Sequence, residues 1–285
     1  MAGTALIATT GATGNVGSRV ARRLAGAGAR QVLVVRDPSR APELPGADVA
    51  RASFDDAGAV RAALAGVSTV LMVSASEDAR RVEQHRTFVD AAVAAGVEHV
   101  VYLSFLGAAP DATFTFARDH WATEEHLRST GVALTSLRDS TYADFLPLLV
   151  GEDGVIRGPA GEGRVAAVAQ DDVADAAAAV LLDPAPHAGR TYDLTGPQAM
   201  TLDEVASVLS AELARPVRYQ PETLDEAYAS RAGYGAPAFE VDGWVSTYTS
   251  IARGEMDVVS DDVERLTGHP ARTLVEVLRS PSPRG

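Results

Sequence analysis

The 285 residues are 46% apolar and 22% charged, enough for one large α/β domain or a core with a smaller lobe. A formal charge of -13 argues against a nucleic-acid surface or a basic membrane patch, and no apolar run approaches the length of a membrane span. The absence of cysteine excludes disulfides, thiolate nucleophiles and cysteine-bound metals; with no basic leader ahead of a long apolar stretch, the expected compartment is the cytoplasm.

The chain opens with an apolar run, Ala5 to Ala8, that leads into Thr9-Thr10-Gly11-Ala12-Thr13-Gly14-Asn15-Val16-Gly17. The glycines stand at a G-x-x-G-x-x-G spacing between a predicted strand and a helix that opens near Val16 and runs through Arg23. Such a turn cradles a pyrophosphate: backbone N–H groups and the positive end of the helix dipole face the anion, and glycine lets the chain come close. The next strand, Gln31 to Val35, ends at Arg36. A carboxylate at that strand end binds the ribose 2′-OH of NAD, whereas an arginine suits the 2′-phosphate of NADP. NADP(H) is therefore the expected cofactor, with Arg40 as a second phosphate partner. Asp37 follows Arg36 directly, and the alternative for both arginines is a solvated loop.

Strand and helix then alternate. A short strand near Asp48 to Ala52 precedes a helix from Asp55 to Ala65. Thr69 to Val73 is a strand opening into Ser74-Ala75-Ser76, and Arg80 to Ala95 a long helix stopped by Gly96. Val100 to Leu103 is a strand ending in Ser104, Arg118 to Ser129 a helix, and Ala133 to Leu137 a sixth strand. This rhythm predicts right-handed βαβ units and a Rossmann-type, doubly wound parallel sheet, with the loops at Gly11, Arg36, Ser74 and Ser104 converging on one crevice. Gly151 to Gly163 reads as an exposed hairpin or flap, Asp171 or Asp172 as the cap of a helix running to Leu182, and Arg190 to Leu194 as a strand. Helices near Leu202 to Leu213, Thr223 to Ala232, Val241 to Arg253 and Asp261 to Leu266 predict a smaller, mostly helical C-terminal lobe over the crevice. The expected division is a core of residues 1–140, completed by about 165–196, and a substrate lobe of 141–164 and 197–285. Past Arg279 the last residues read as disordered.

All 25 basic residues other than histidine are arginine. A Tyr-x-x-x-Lys pair, in which the ammonium lowers the tyrosine pKa, is thus excluded, and arginine is a poor replacement because its fork is bulky and does not deprotonate. The six histidines show no metal-ligand spacing.

The Thr-Gly-Ala-Thr-Gly-Asn-Val-Gly turn and the Val-Val-Arg strand end carry a resemblance. With them go Gln84-His85, His120-Trp121-Ala122-Thr123-Glu124, Arg138, Tyr142 and Ser260-Asp261-Asp262 ahead of Gly268. Together they resemble the NmrA-like branch of the atypical short-chain dehydrogenase/reductases, most of all its NADPH-dependent quinone oxidoreductase and triphenylmethane reductase subgroup. The resemblance implies NADPH binding and direct hydride transfer to quinones or conjugated cationic dyes, without flavin or metal. It places Gly11, Thr13, Gly14, Asn15 and Val16 at the pyrophosphate, Arg36 at the 2′-phosphate, Ser74 and Ala75 beside the cofactor, and Ser104 and Phe105 near the nicotinamide. Ser53-Phe54 replaces the usual Asp-aromatic pair near the adenine, leaving Phe54 to pack on the ring.

His120 is the candidate polar group beside the nicotinamide, donating a proton or orienting a substrate oxygen; the alternative is a helix-surface histidine paired with Glu124. Tyr142 is the second candidate, with an amphipathic wall residue as its alternative, and Tyr102 reads as core. Three functions follow: an NADPH-dependent reductase of small conjugated acceptors such as quinones, a non-catalytic NADP(H)-binding redox sensor, or a ketoreductase or isomerase tailoring aromatic polyketides. The expected partner is a small aromatic or quinone-like substrate, with a homodimer entertained and neither nucleic acid nor membrane.

Overall fold

The computed structural model describes residues 6–280; the expectations for Ala5 and for the chain beyond Ser280 fall outside them. Two compact units are formed. The first takes in the chain up to Phe105 with Asp119–Arg138 and Val173–Tyr192, the second Leu106–Arg118, Asp139–Asp172 and the chain from Asp193.

The elements alternate as the sequence predicts: β1 (Ile7–Thr10), α1 (Asn15–Gly26), β2 (Gln31–Val35), β3 (Ala47–Arg51), α2 (Ala57–Ala63), β4 (Thr69–Val73), α3 (Arg81–Ala94), β5 (His99–Phe105), α4 (Thr115–Thr130) and β6 (Ala133–Asp139). After them come β7 (Val155–Gly158), β8 (Arg164–Val165), α5 (Gln170–Leu182), β9 (Thr191–Leu194), β10 (Met200–Thr201), α6 (Leu202–Glu212), β11 (Arg218–Pro221), α7 (Leu224–Arg231), α8 (Ala238–Ala252), α9 (Asp262–Thr267) and α10 (Leu274–Arg279). The main sheet has seven strands in the order β3-β2-β1-β4-β5-β6-β9. The chain leaves β1 in one direction to β2 and β3, then returns to place β4 on the other side, so β1 and β4 flank the topological switch point.

Alternation along the strands sorts the core onto two faces. Val32, Val34, Val70, Met72, Val100 and Tyr102 pack against Val60 and Leu64 of α2 and Phe88 and Val89 of α3. Leu33 and Val35 point the other way and meet Ala21 of α1. Each large side chain so buried contributes about 1.5–3 kcal/mol. The parallel register pairs Thr10 with Val34, Val35 with Arg51 and Val73 with Leu103, which puts the carboxyl ends of β1, β2, β4 and β5 at one edge. There the Thr10 hydroxyl donates to Leu71 O at 3.1 Å and accepts from Val73 N–H at 2.8 Å, tying the ends of β1 and β4 together.

In the second unit β7 pairs in parallel with β11 and β8 antiparallel with β10. Helices α6, α7 and α10 each begin at a threonine whose side chain accepts from the backbone N–H of a glutamate three residues on, while that glutamate reaches back.

Two local expectations are corrected here. Gly151 to Gly163 is not an exposed flap: Val155, Ile156 and Gly158 are buried in β7. A Cβ on Gly158 would lie 2.3 Å from the Tyr248 ring, and one on Gly163 2.1 Å from Ile251 O, so these glycines permit close packing rather than motion. Nor does Asp171 or Asp172 cap α5. The helix starts at Gln170, whose N–H donates to Asp144 Oδ2 at 2.9 Å, and the buried Asp172 instead accepts from Arg272 N–H at 2.7 Å and pairs with its guanidinium.

Candidate active site

The glycine turn divides its labour. Gly11 has φ +65°, and a Cβ there would stand 3.0 Å from Val73 Cβ. A Cβ on Gly17 would stand 2.2 Å from Gly11 O, so that glycine lets α1 lie on the turn. Gly14 is different: its φ is -98° and its Cβ would meet only Gly11 O, at 3.3 Å. The protein's own packing has least need of that missing side chain, as a position approached by a ligand requires. Gly14 is also the N-cap of the 12-residue α1, which has no side-chain cap and no acidic residue in its first turn. The first-turn N–H groups, from Asn15 and Val16 onward with Thr13 just before, are left for an anion.

At the end of β2, Arg36 is exposed. The Asp37 carboxylate folds back onto Ser39, its Oδ1 accepting from N–H at 3.0 Å and from Oγ at 2.7 Å. Those bonds, helped by the charges of Arg40 and Arg51, hold its pKa below the usual carboxylate range. Arg51 was missed by sequence reasoning. It ends β3 opposite Val35 and brings a third guanidinium near the two expected ones. The donor set of this edge fits a dinucleotide carrying a 2′-phosphate.

The loop after β4 is clamped from behind. Ala75 N–H donates to His85 Nε2 at 2.9 Å, which assigns the ring proton to Nδ1 and its hydrogen bond to Thr123 Oγ1 at 2.8 Å. Arg81 Nε donates to Ala75 O at 3.0 Å. Both polar atoms of the Ala75 peptide are thus fixed, with Ser74 directly before it. Burial and then the Arg81 charge push the His85 pKa down to about 3, so the ring is neutral. Phe54 is half-buried, stacked on Phe88 at 4.3 Å and edge-on to His85 at 6.0 Å.

His120 is buried rather than a surface residue, and Glu124 is not its partner. Arg81 donates to its Nε2 at 3.1 Å, leaving Nδ1–H to donate to Tyr102 Oη at 2.9 Å. Burial, followed by the charge of Arg81, holds its pKa well below the ordinary value. Phe105 lies 6.1 Å from the ring. Glu124, fully buried, receives two hydrogen bonds from Arg138 at 2.9 and 2.7 Å, one from Arg128 at 2.8 Å and one from Ser104 Oγ at 2.6 Å. Burial works to raise its pKa, but the bonds from Arg138 and Ser104 outweigh it and keep the carboxylate ionised. Ser104 itself is fully buried near the end of β5, with its hydroxyl engaged by Glu124.

In the second unit, the Tyr142 hydroxyl donates to Asp139 Oδ2. Burial and the Asp139 charge raise its pKa well above the ordinary value, so the phenol keeps its proton. The same unit carries an open cavity of about 720 Å³, walled by Phe145, Tyr234, Trp244 and Tyr248 and by two cations, Arg157 and Arg231. The other tail aromatics serve packing: Phe239 meets Phe116 edge-on at 6.5 Å, and Tyr228 donates to Asp242 Oδ1 at 3.0 Å.

A switch-point crevice, a glycine cradle at a helix N-terminus and an arginine cluster at the next strand end define a Rossmann-type dinucleotide-binding protein. Residues 11–184 match the NAD(P)H-binding family, and the chain belongs to it. It is similar to quinone oxidoreductase 2 of Escherichia coli (strain K12), 34% identical over 279 residues that cover 95% of this chain and 96% of that one. It is 33% identical to the NAD(P)H azoreductase of Xenophilus azovorans over 280 residues, 96% and 97% of the two chains. Among solved structures, the Citrobacter sp. triphenylmethane reductase complexed with NADP(H) superimposes with a TM-score of 0.85 at 32% identity, covering 96% of this chain and 99% of that one. The resemblance to NmrA-like reductases of the quinone and triphenylmethane subgroup therefore holds along the whole chain. No helix among the described residues is long and apolar enough to cross a membrane.

Proposed function

We propose that the chain is an NADPH-dependent reductase that passes a hydride to a small conjugated acceptor of the quinone kind. The observation that carries this reading is the end-to-end match to reductases named for quinones, azo compounds and triphenylmethanes, all extended π-systems. When bound, NADPH supplies a hydride from nicotinamide C4. The first-turn N–H groups of α1 hold the pyrophosphate, with Gly14 giving it room, and Arg36 holds the 2′-phosphate with Arg40 and Arg51 beside it. Phe54 packs by the adenine. The braced Ser74–Ala75 loop and the backbone of Ser104 and Phe105 position the nicotinamide, and the cavity of the second unit takes the acceptor.

His120 and Tyr142 act in this reading as fixed polar groups rather than proton donors. The hydrogen bond from Arg81 occupies the only lone pair of the neutral His120 ring, and Asp139 occupies the Tyr142 hydrogen. A reduced quinone is a weak base, so water completes its protonation, and the chain need only hold donor and acceptor in near-attack geometry. That demand is met without any lysine.

The test is NADPH oxidation measured against quinones, dyes and polyketide-like ketones. Quinones are expected to react fastest. Tight NADPH binding with no acceptor reduced would support a regulator instead, and turnover of ketones alone a ketoreductase.

A further inference from the structure

We infer that the cavity of the second unit selects acceptors that carry or develop negative charge and turns away cationic dyes, an inference that rests on the cavity's role as the acceptor site. Among the described residues, Arg157 and Arg231 are the charged side chains that line it, and no carboxylate does. Arg231 is a fixed cation. Its guanidinium donates to Glu222 at 3.0 Å, Ala227 O at 2.9 Å, Ser230 Oγ at 3.1 Å and Arg157 O at 3.2 Å. It also lies 5.3 Å over the Tyr248 ring.

That stacking leaves the Tyr248 face already holding a cation, so this ring has little to offer a positive ligand. A delocalised cationic dye would have to sit beside two guanidiniums with no carboxylate on the wall. An acceptor oxygen that gains charge as hydride arrives, or a ligand bearing a sulfonate or carboxylate, meets the reverse situation. Each guanidinium has a carboxylate partner, Glu222 for Arg231 and Asp153 for Arg157, and neither partner lines the cavity. Arg157 is the adjustable member. It bonds only Asp153, at 2.6 and 3.2 Å, and both side chains are substantially exposed, so an incoming anion can compete for it.

Three probes of similar use but different charge test this: 1,4-naphthoquinone-2-sulfonate, menadione and malachite green. Both kcat/KM with NADPH and calorimetric binding to the NADP⁺-loaded protein are measured. The sulfonate should equal or exceed menadione, and malachite green should trail both. Arg157→Gln should lower the sulfonate-to-menadione ratio about fivefold, the scale of one partly exposed charge pair. Arg157→Lys should preserve the ratio, and Asp153→Asn, which removes the competing carboxylate, should raise it. Malachite green binding as well as menadione, or a ratio unmoved by both Arg157→Gln and Asp153→Asn, would overturn the inference. If calorimetry ranks the probes as expected while none is reduced, the charge preference stands and the reductase reading falls.

Discussion

The two units hold their ligand-facing groups in opposite ways. In the first, the recognising groups are mostly backbone: the N–H groups behind Gly14, the Ala75 peptide, the strand ends after Thr10 and Val35. The polar side chains beneath them are held by neighbours within the unit: Arg81 by His120, His85 by Thr123, and Glu124 by Arg128, Arg138 and Ser104. In the second, the cavity is walled mostly by side chains, drawn from β7, β8, α6, α7, α8 and the segment around Thr141 to Gly151. In the proposed reading, pyrophosphate and nicotinamide recognition is mainly a backbone property fixed by a few local residues, and acceptor preference a side-chain property assembled from distant ones. Substitutions in the first unit should cost folding or cofactor binding, and substitutions around the cavity should change which acceptor is preferred.

The sharpest contrast lies within the glycine turn. Gly17→Ala drives a Cβ to 2.2 Å from Gly11 O, so the turn and α1 must separate, a strain of about 1–3 kcal/mol or more that thermal unfolding will register. Gly14→Ala meets only a 3.3 Å contact and should melt close to the parent, yet bind NADPH far more weakly in a fluorescence titration. Equal melting losses in the two variants would erase the distinction between packing glycine and ligand glycine.

Arg36→Ala should come next. Loss of one charge-assisted contact weakens NADPH by about 1.5–3 kcal/mol while leaving NADH nearly unchanged. Equal affinity of the parent for both cofactors would remove the basis of that expectation.

Acid should undo the first unit through its histidines. His85 has a folded pKa of about 3 against the ordinary 6.5, so between those values the unfolded chain binds the extra proton. Stability then rises with pH across that window and is lost as pH falls below 6.5, by about 1.4 kcal/mol per pH unit for one such group. His120, also held neutral, adds in the same direction. Replacing His85 with Gln should flatten the acid limb of a stability–pH profile; an unchanged limb would show that the clamp on Ala75 does not titrate.

The smallest effects are expected at the two polar side chains first taken for chemistry. His120→Ala and Tyr142→Phe should each lower kcat by well under the ~10²–10⁴-fold typical of a general acid. A near-complete loss of kcat in His120→Ala, with folding and NADPH binding intact, would make His120 the proton donor and shift the substrate toward ketones.

What could be read from the residues follows the same division. The strand–turn–helix at Gly11, the arginine that follows β2 and the alternating sheet were legible because each rests on neighbours in sequence. Asp37 looked ambiguous until its carboxylate was seen to cap Ser39. The buried setting of His120 was hidden because Arg81 and Tyr102 come from other elements. The Gly151–Gly163 segment was misjudged for the same reason: glycines that make room for Tyr248 and Ile251 look, in sequence, like glycines of a loose loop. Helix α10 did leave a signal, since Thr273 and Glu276 form the same Thr-x-x-Glu box that opens α6 and α7. Of the cavity wall, only the tail aromatics Tyr234, Trp244 and Tyr248 left a signal, suiting a flat apolar ligand or a lobe core alike, because the wall is set by packing across more than a hundred residues of chain.

Hydride transfer is tested most directly by a single-turnover measurement of NADPH oxidation by menadione, comparing ordinary NADPH with NADPH dideuterated at nicotinamide C4. Single turnover removes product release, which can mask the chemical step. Hydride transfer predicts prompt loss of NADPH absorbance that is distinctly slower with the deuterated cofactor. NADPH that binds but stays unoxidised, or oxidation at the same rate with either isotope, would contradict it.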